Sequence, residues 1–129
     1  MSKKKVFIVD DDQDFLQLAQ IALKDSDYTP VLISHPGEII SNAKKAAPDL
    51  IILDLNYQPG KNSSLLDQGE FFILVKEREK FLKNVPLVFC SSDKQFAQTV
   101  NFKFLGAQDF FIKPMTPKQL LESVKAQFK

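Results

Sequence analysis

Apolar residues along this chain form either short unbroken runs or longer segments in which they recur every three or four positions. The clearest run lies in Asp49-Leu50-Ile51-Ile52-Leu53-Asp54-Leu55-Asn56, where four apolar residues stop at Asp54. So short a run, with no polar alternation, predicts a strand covered on both faces, as in a parallel sheet flanked by helices. Two more runs have the same form. Lys5 to Val9 ends in Asp10-Asp11-Asp12, and Asp109 to Ile112 ends in Lys113-Pro114. Thr29 to Ile33 and Leu87 to Cys90 complete five predicted strands, the latter opened by Pro86 and closed by Ser91-Ser92.

The segments between them carry helical spacing. Asp12 can cap a helix with Phe15, Leu16, Ala19, Ala22 and Leu23 on one face. Pro36 suits the first turn of a second helix, in which Ile39, Ile40, Ala43 and Ala47 keep helical spacing and which stops at Pro48. Tyr57 to Asp67 lacks periodicity and contains turn chemistry at Pro59-Gly60 and Asn62-Ser63-Ser64. A third helix is predicted from about Gln68 to Leu82. A fourth starts after Asp93, with Phe96, Ala97, Val100 and Phe104 facing the sheet, and ends at Gly106. At about 100° per residue, that helix sends Phe102 to solvent. The fifth has the clearest start: Thr116 and Gln119 form a capping box, with Pro117 at the first helical position. Alternating strands and helices predict an α/β domain with a parallel five-stranded sheet and five helices, residues 1–129 forming a single unit.

Composition narrows the function classes. A 44% hydrophobic and 26% charged chain is an ordinary globular one. A net charge of +1 gives no electrostatic case for direct nucleic acid or membrane binding, and Lys3-Lys4-Lys5 is a solvated terminus. No apolar run approaches the ~20 residues of a membrane span, and none forms a signal-peptide core. The single Cys90, set in an apolar strand, fits a reducing, cytoplasmic setting as a small buried hydrophobe. His35, the only histidine, is expected in the loop after the second strand.

The chemistry lies at the strand ends, where open α/β sheets place their ligands. With the first and third strands as neighbours, Asp10, Asp11 and Asp54 come within a few ångströms of one another. Two unit charges about 4 Å apart repel by about 4 kcal/mol at an effective dielectric of about 20, so such a cluster retains a proton or binds a cation. Oxygen-only ligands favour Mg²⁺, which keeps positions open for water and phosphate. Asp12 is better used as the helix cap. A cis Lys113-Pro114 bond would turn the ammonium into the crevice as a point charge for phosphate. The Ser91 hydroxyl can donate to a phosphoryl oxygen.

Val9-Asp10-Asp11, Leu53-Asp54-Leu55-Asn56, Pro86 through Ser91, Gly106-Ala107 and Lys113-Pro114 occur in the order and at the intervals of a known family. Over nearly its full length the chain resembles the receiver domain of two-component response regulators. The resemblance implies a flavodoxin-like sheet of order 2-1-3-4-5. It implies that Asp54 accepts a phosphoryl group from a sensor histidine kinase or phosphotransfer protein. It implies that Asp10, Asp11, Asp54 and the backbone carbonyl of Asn56 hold Mg²⁺, that Lys113 pairs with the phosphoryl group, and that Ser91 senses it. In such domains the phosphorylated state alters a face made by helix four, strand five and helix five, which serves dimerisation or output. Phosphoryl transfer asks for little else than an in-line oxygen nucleophile and neutralised charge, so these residue types suit the chemistry.

Three departures stand out. Ser91 replaces the commoner Thr, and Phe110 stands where many members carry a switch Tyr, so it can pack inward without donating a hydroxyl hydrogen bond. The glycine that usually follows the phospho-acceptor closely comes as late as Gly69, which makes Tyr57 to Asp67 an insertion beside the site and a candidate lid. Rival functions fit less well. A flavin binder of this topology needs a phosphate loop after the first strand, where three aspartates stand. A haloacid-dehalogenase-type phosphatase needs an acid two residues after its nucleophile, where Asn56 stands. A pseudo-receiver acting as a plain interaction module has no need for these acidic, hydroxyl and lysine positions.

Overall fold

In the computed structural model, residues 3–35, 38–55, 79–99 and 101–128 are described. The elements are β1 (Lys4–Val9), α1 (Gln13–Leu23), β2 (Tyr28–Ile33), α2 (Ile39–Lys45), β3 (Leu50–Asp54), α3 (Lys80–Lys83), β4 (Leu87–Ser91), α4 (Lys94–Thr99), β5 (Asp109–Ile112) and α5 (Pro117–Ala126). The strands form one parallel sheet of order β2-β1-β3-β4-β5. Chain order reverses between β1 and β3, and the crevice opens there.

Because side chains alternate along a strand, each central strand supplies both faces. Val6, Ile8, Leu50, Ile52, Val88, Cys90 and Phe111 pack with α1 and α5 on one face. Phe7, Val9, Ile51, Leu53, Leu87 and Phe89 pack with Ile39, Ala43 and Leu82 on the other. This two-sided burial is why β3 and β4 read as unbroken apolar runs. Pro30 sits in β2, an edge strand, where its missing N–H removes little pairing.

Two helix starts follow the sequence closely. Asp12 caps α1, its carboxylate accepting the N–H groups of Asp14 and Phe15. Thr116 and Gln119 form the full capping box of α5. Such a cap contributes about 1 kcal/mol.

The expected third helix departs from the structure at its end: Glu79 is extended, so α3 is a separate turn, not the tail of a helix running to Leu82. That turn buries Leu82 before Pro86 opens β4. The rest of that helix, Asn56 and the Tyr57–Asp67 insertion lie outside the described residues.

The larger correction concerns the fourth helix, which does not continue to Gly106. The Asn101 side chain accepts the N–H of Phe104 at 3.1 Å and starts a new turn. Gly106, at φ 97°, closes it: its N–H donates to Lys103 O and that of Ala107 to Phe102 O. This restart rotates the residues that follow. Phe102 turns inward, edge-on to Phe110 with ring centroids 6.0 Å apart, while Phe104 is 84% exposed. The sequence expectation had these two reversed, because it carried one helical phase through an asparagine that resets it.

Candidate functional site

Asp10 follows β1, Asp54 ends β3, Ser91 ends β4 and Lys113 follows β5. Parallel pairing sets these four positions on one edge of the sheet. They line a crevice of about 370 Å³ together with Asp11, Asp12 and Pro114. Asp10 is anchored twice: its N–H donates to Ile33 O at 2.9 Å, and its Oδ1 accepts the Asp12 N–H at 2.9 Å. One carboxylate oxygen each from Asp10, Asp11 and Asp54 lie within 4.8 Å of one another. Asp10 and Asp54 are buried and Asp11 is exposed, so the cluster has one open side.

Lys113 approaches from β5 through a cis Lys113–Pro114 peptide, its N–H donating to Ser91 O at 2.9 Å. Its Nζ lies 2.6 Å from Asp10 Oδ2 and 3.2 Å from Asp54 Oδ1. The Ser91 Oγ accepts the Asp93 N–H at 3.0 Å, which leaves its own proton to donate. Phe110 lies between Phe89 and Phe102, edge-on to both.

Among the described residues three carboxylates face one ammonium, and the imbalance shows in their protonation. Burial, then the charge of Asp10, pushes the Asp54 carboxyl up to about 7 against the pull of Lys113. Burial also raises Asp10, although the Lys113 hydrogen bond lowers it. Burial would lower Lys113, but the hydrogen bond to Asp10 and the charges of Asp54 and Asp10 outweigh it and raise the ammonium. Oxygen-only donors with uncompensated negative charge and an open side fit a divalent cation. Cys90, beside Asp54 in the β3–β4 register, is fully buried, and burial raises its thiol far above its ordinary value.

Sequence reasoning brought Asp10, Asp11, Asp54, Ser91 and Lys113 to this crevice, and the structure brings them together there. It missed Phe15, taken only as a core residue, whose ring centroid is 4.5 Å from the Lys113 Nζ. The available signal was position: Phe15 is the first inward residue of α1, the one nearest the end of β1. It also missed that Asp12 is tied to Asp10 as well as to α1.

A doubly wound parallel sheet with an acidic cluster and a lysine at its switch point defines an open α/β domain whose crevice suits a cation and a phosphoryl group. Comparison with known proteins agrees. The response regulator receiver domain model matches residues 6–125. The alkaline phosphatase synthesis transcriptional regulatory protein PhoP of Bacillus subtilis is 29% identical, over 95% of this chain and 48% of its own length. The transcriptional regulatory protein BaeR of Escherichia coli is 27% identical, over 94% of this chain and 46% of its own. The chain thus spans about half the length of these curated relatives. Among solved structures, the chemotaxis response regulator CheY4 of Vibrio cholerae superposes with a TM-score of 0.76 at 25% identity, covering 96% of this chain and 98% of that one. A receiver domain protein from Methanospirillum hungatei superposes at 0.73 and 20% identity, covering 98% and 94%. This chain belongs to the response regulator receiver domain family, whose members are the phospho-acceptor modules of phosphorelay signal transduction. Among the described residues, no helix is long and apolar enough to cross a membrane.

Proposed function

We propose that residues 1–129 act as one receiver domain in the cytoplasm, with Asp54 as the phospho-accepting residue. A carboxylate oxygen of Asp54 bonds to the phosphorus of a phosphohistidine on a sensor histidine kinase or phosphotransfer protein. The phosphorus–nitrogen bond breaks, and the histidine nitrogen keeps the electron pair and takes a proton from solvent. Asp10, Asp11, Asp54 and the backbone carbonyl of Asn56 would hold Mg²⁺. When bound, the ion neutralises phosphoryl oxygens and orients them for in-line attack. Lys113, held between Asp10 and Asp54, supplies the second positive charge. Ser91 donates its free hydroxyl proton to a phosphoryl oxygen. By the same chemistry the domain promotes its own phosphorylation and, with water as nucleophile, its dephosphorylation. Ser91 and Phe110 transmit the change to the surface of α4, β5 and α5, where exposed Phe104 and Ile112 offer apolar contact for a second copy or a partner.

The observation that carries this reading is the acidic trio at the switch point, bridged by a lysine from β5. Incubation with Mg²⁺ and a small acyl phosphate, followed by intact-mass analysis, tests it. One labile phosphoryl adduct is expected on the parent, with none on Asp54→Asn and none in the presence of a chelator. An equal adduct on both proteins would overturn the assignment, and no adduct at all would favour a pure interaction module.

A further inference from the structure

We infer that Phe15 is a positioning residue for phosphoryl transfer, its ring face holding the Lys113 ammonium against the Asp10 and Asp54 carboxylates. The inference rests on the proposed transfer to Asp54. Among the described residues the ammonium has three partners: Asp10 at 2.6 Å, Asp54 at 3.2 Å and the Phe15 ring, centroid 4.5 Å away. Phe15 is buried and the Lys113 side chain is only 13% exposed, so little water competes for this contact. The face of an aromatic ring carries partial negative charge and attracts a cation most strongly where water is excluded.

The contacts close into a loop. Asp10 Oδ1 accepts the Asp12 N–H, and Asp12 Oδ1 accepts the Phe15 N–H. The Phe15 ring lies against the Lys113 ammonium, which donates to Asp10 Oδ2. The ring is therefore fixed to the same strand end as the carboxylates, through the cap of α1.

Its attraction also differs in kind from theirs. A cation on Asp10 and Asp54, or a phosphoryl group on Asp54, changes the charge those carboxylates show to Lys113. The ring is neutral and keeps its pull throughout. A lysine ends in a compact point charge on a flexible four-carbon stem, so a partner of constant strength limits where the charge moves during transfer. A leucine in place of Phe15 would fill space without attracting the ammonium.

The test replaces Phe15 with a ring-trifluorinated phenylalanine, which keeps the shape but drains charge from the ring face, and compares it with Phe15→Leu. Initial rates of Asp54 phosphorylation by acetyl phosphate are measured at saturating Mg²⁺, with and without Lys113→Met. The fluorinated protein should react roughly threefold more slowly than the parent, and Phe15→Leu more slowly still. The Mg²⁺ concentration for half-maximal rate should stay unchanged, and fluorination should have no effect once Lys113→Met is present. In the metal-free parent, the Lys113 ε-methylene protons should resonate upfield through the ring current and return toward their ordinary position in Phe15→Leu. Equal rates in parent and fluorinated protein, an effect that persists in Lys113→Met, or unshifted methylene protons would overturn the inference while leaving phosphorylation of Asp54 standing. A parent that takes no phosphoryl group on Asp54 overturns the proposed function and this inference with it. Should Phe15→Leu fail to fold, the fluorinated protein carries the comparison alone.

Discussion

At Asp54, burial and the neighbouring Asp10 carboxylate favour the protonated carboxyl, and Lys113 only partly opposes them. The folded-state value of about 7 exceeds the ordinary 3.8, so between those pH values the folded protein binds more protons than the unfolded chain. The contribution of this group to the stability of the metal-free protein is thus greatest at the acid end and falls as pH rises toward 7, by at most roughly 4 kcal/mol. Asp54→Asn removes the ionisation without changing the shape of the side chain. Urea denaturation in a chelator should show the variant more stable than the parent at pH 7, with a flatter profile between pH 4 and 7. Added Mg²⁺ should stabilise the parent more than the variant, since a ligand that binds only the folded state raises its stability. Equal pH profiles would show that Lys113 alone balances the cluster.

At the scale of the element, the segment after α4 is where local pattern and structure part. Asn101 ends one helical phase and Gly106 closes the next turn, and together they exchange the environments of Phe102 and Phe104. Phe102→Ala removes an aromatic partner of Phe110 and part of the core on that face, which should lower stability by about 2 kcal/mol. Phe104→Ala strips an exposed ring and should change stability by less than about 0.5 kcal/mol. Denaturant midpoints of the two variants separate the alternatives, because a continuous helix would give the reverse order. The signal was present in the sequence as an asparagine and a glycine five residues apart, but each also occurs within ordinary helices and loops. Choosing between those roles requires knowing which phenylalanine the sheet can accommodate, and that is information from distant residues.

For the molecule as a whole, Phe104 and Ile112 are exposed apolar residues between α4 and the end of β5, on the face that the proposed function assigns to output. Under that proposal, a change at Asp54 would reach this face by biasing two packed arrangements of Ser91, Phe110 and the α4 region. Phe104→Ala should therefore leave Asp54 phosphorylation at the parental rate while weakening phosphorylation-dependent self-association. Sedimentation velocity with and without acetyl phosphate reads this directly. Association indifferent to Phe104 would assign that ring to plain solvent surface.

The fold class, the five strands, the caps at Asp12 and Thr116 and the strand-end residues Asp10, Asp54, Ser91 and Lys113 were determined by the sequence alone. Each depends on a short-range rule: burial on both faces makes a strand's apolar run unbroken, and a capping side chain reaches only the next turn. Tertiary structure decided what depends on residues far apart in the chain. It fixed the inward placement of Phe102, because packing against Phe110 is a contact between α4's exit and β5. It divided the Lys113 ammonium among Asp10, Asp54 and the Phe15 ring, three partners from β1, β3 and α1 whose convergence no local spacing encodes. The electrostatic state of Asp54 follows from that convergence, since desolvation and the nearness of Asp10 exist only once the sheet has closed around them.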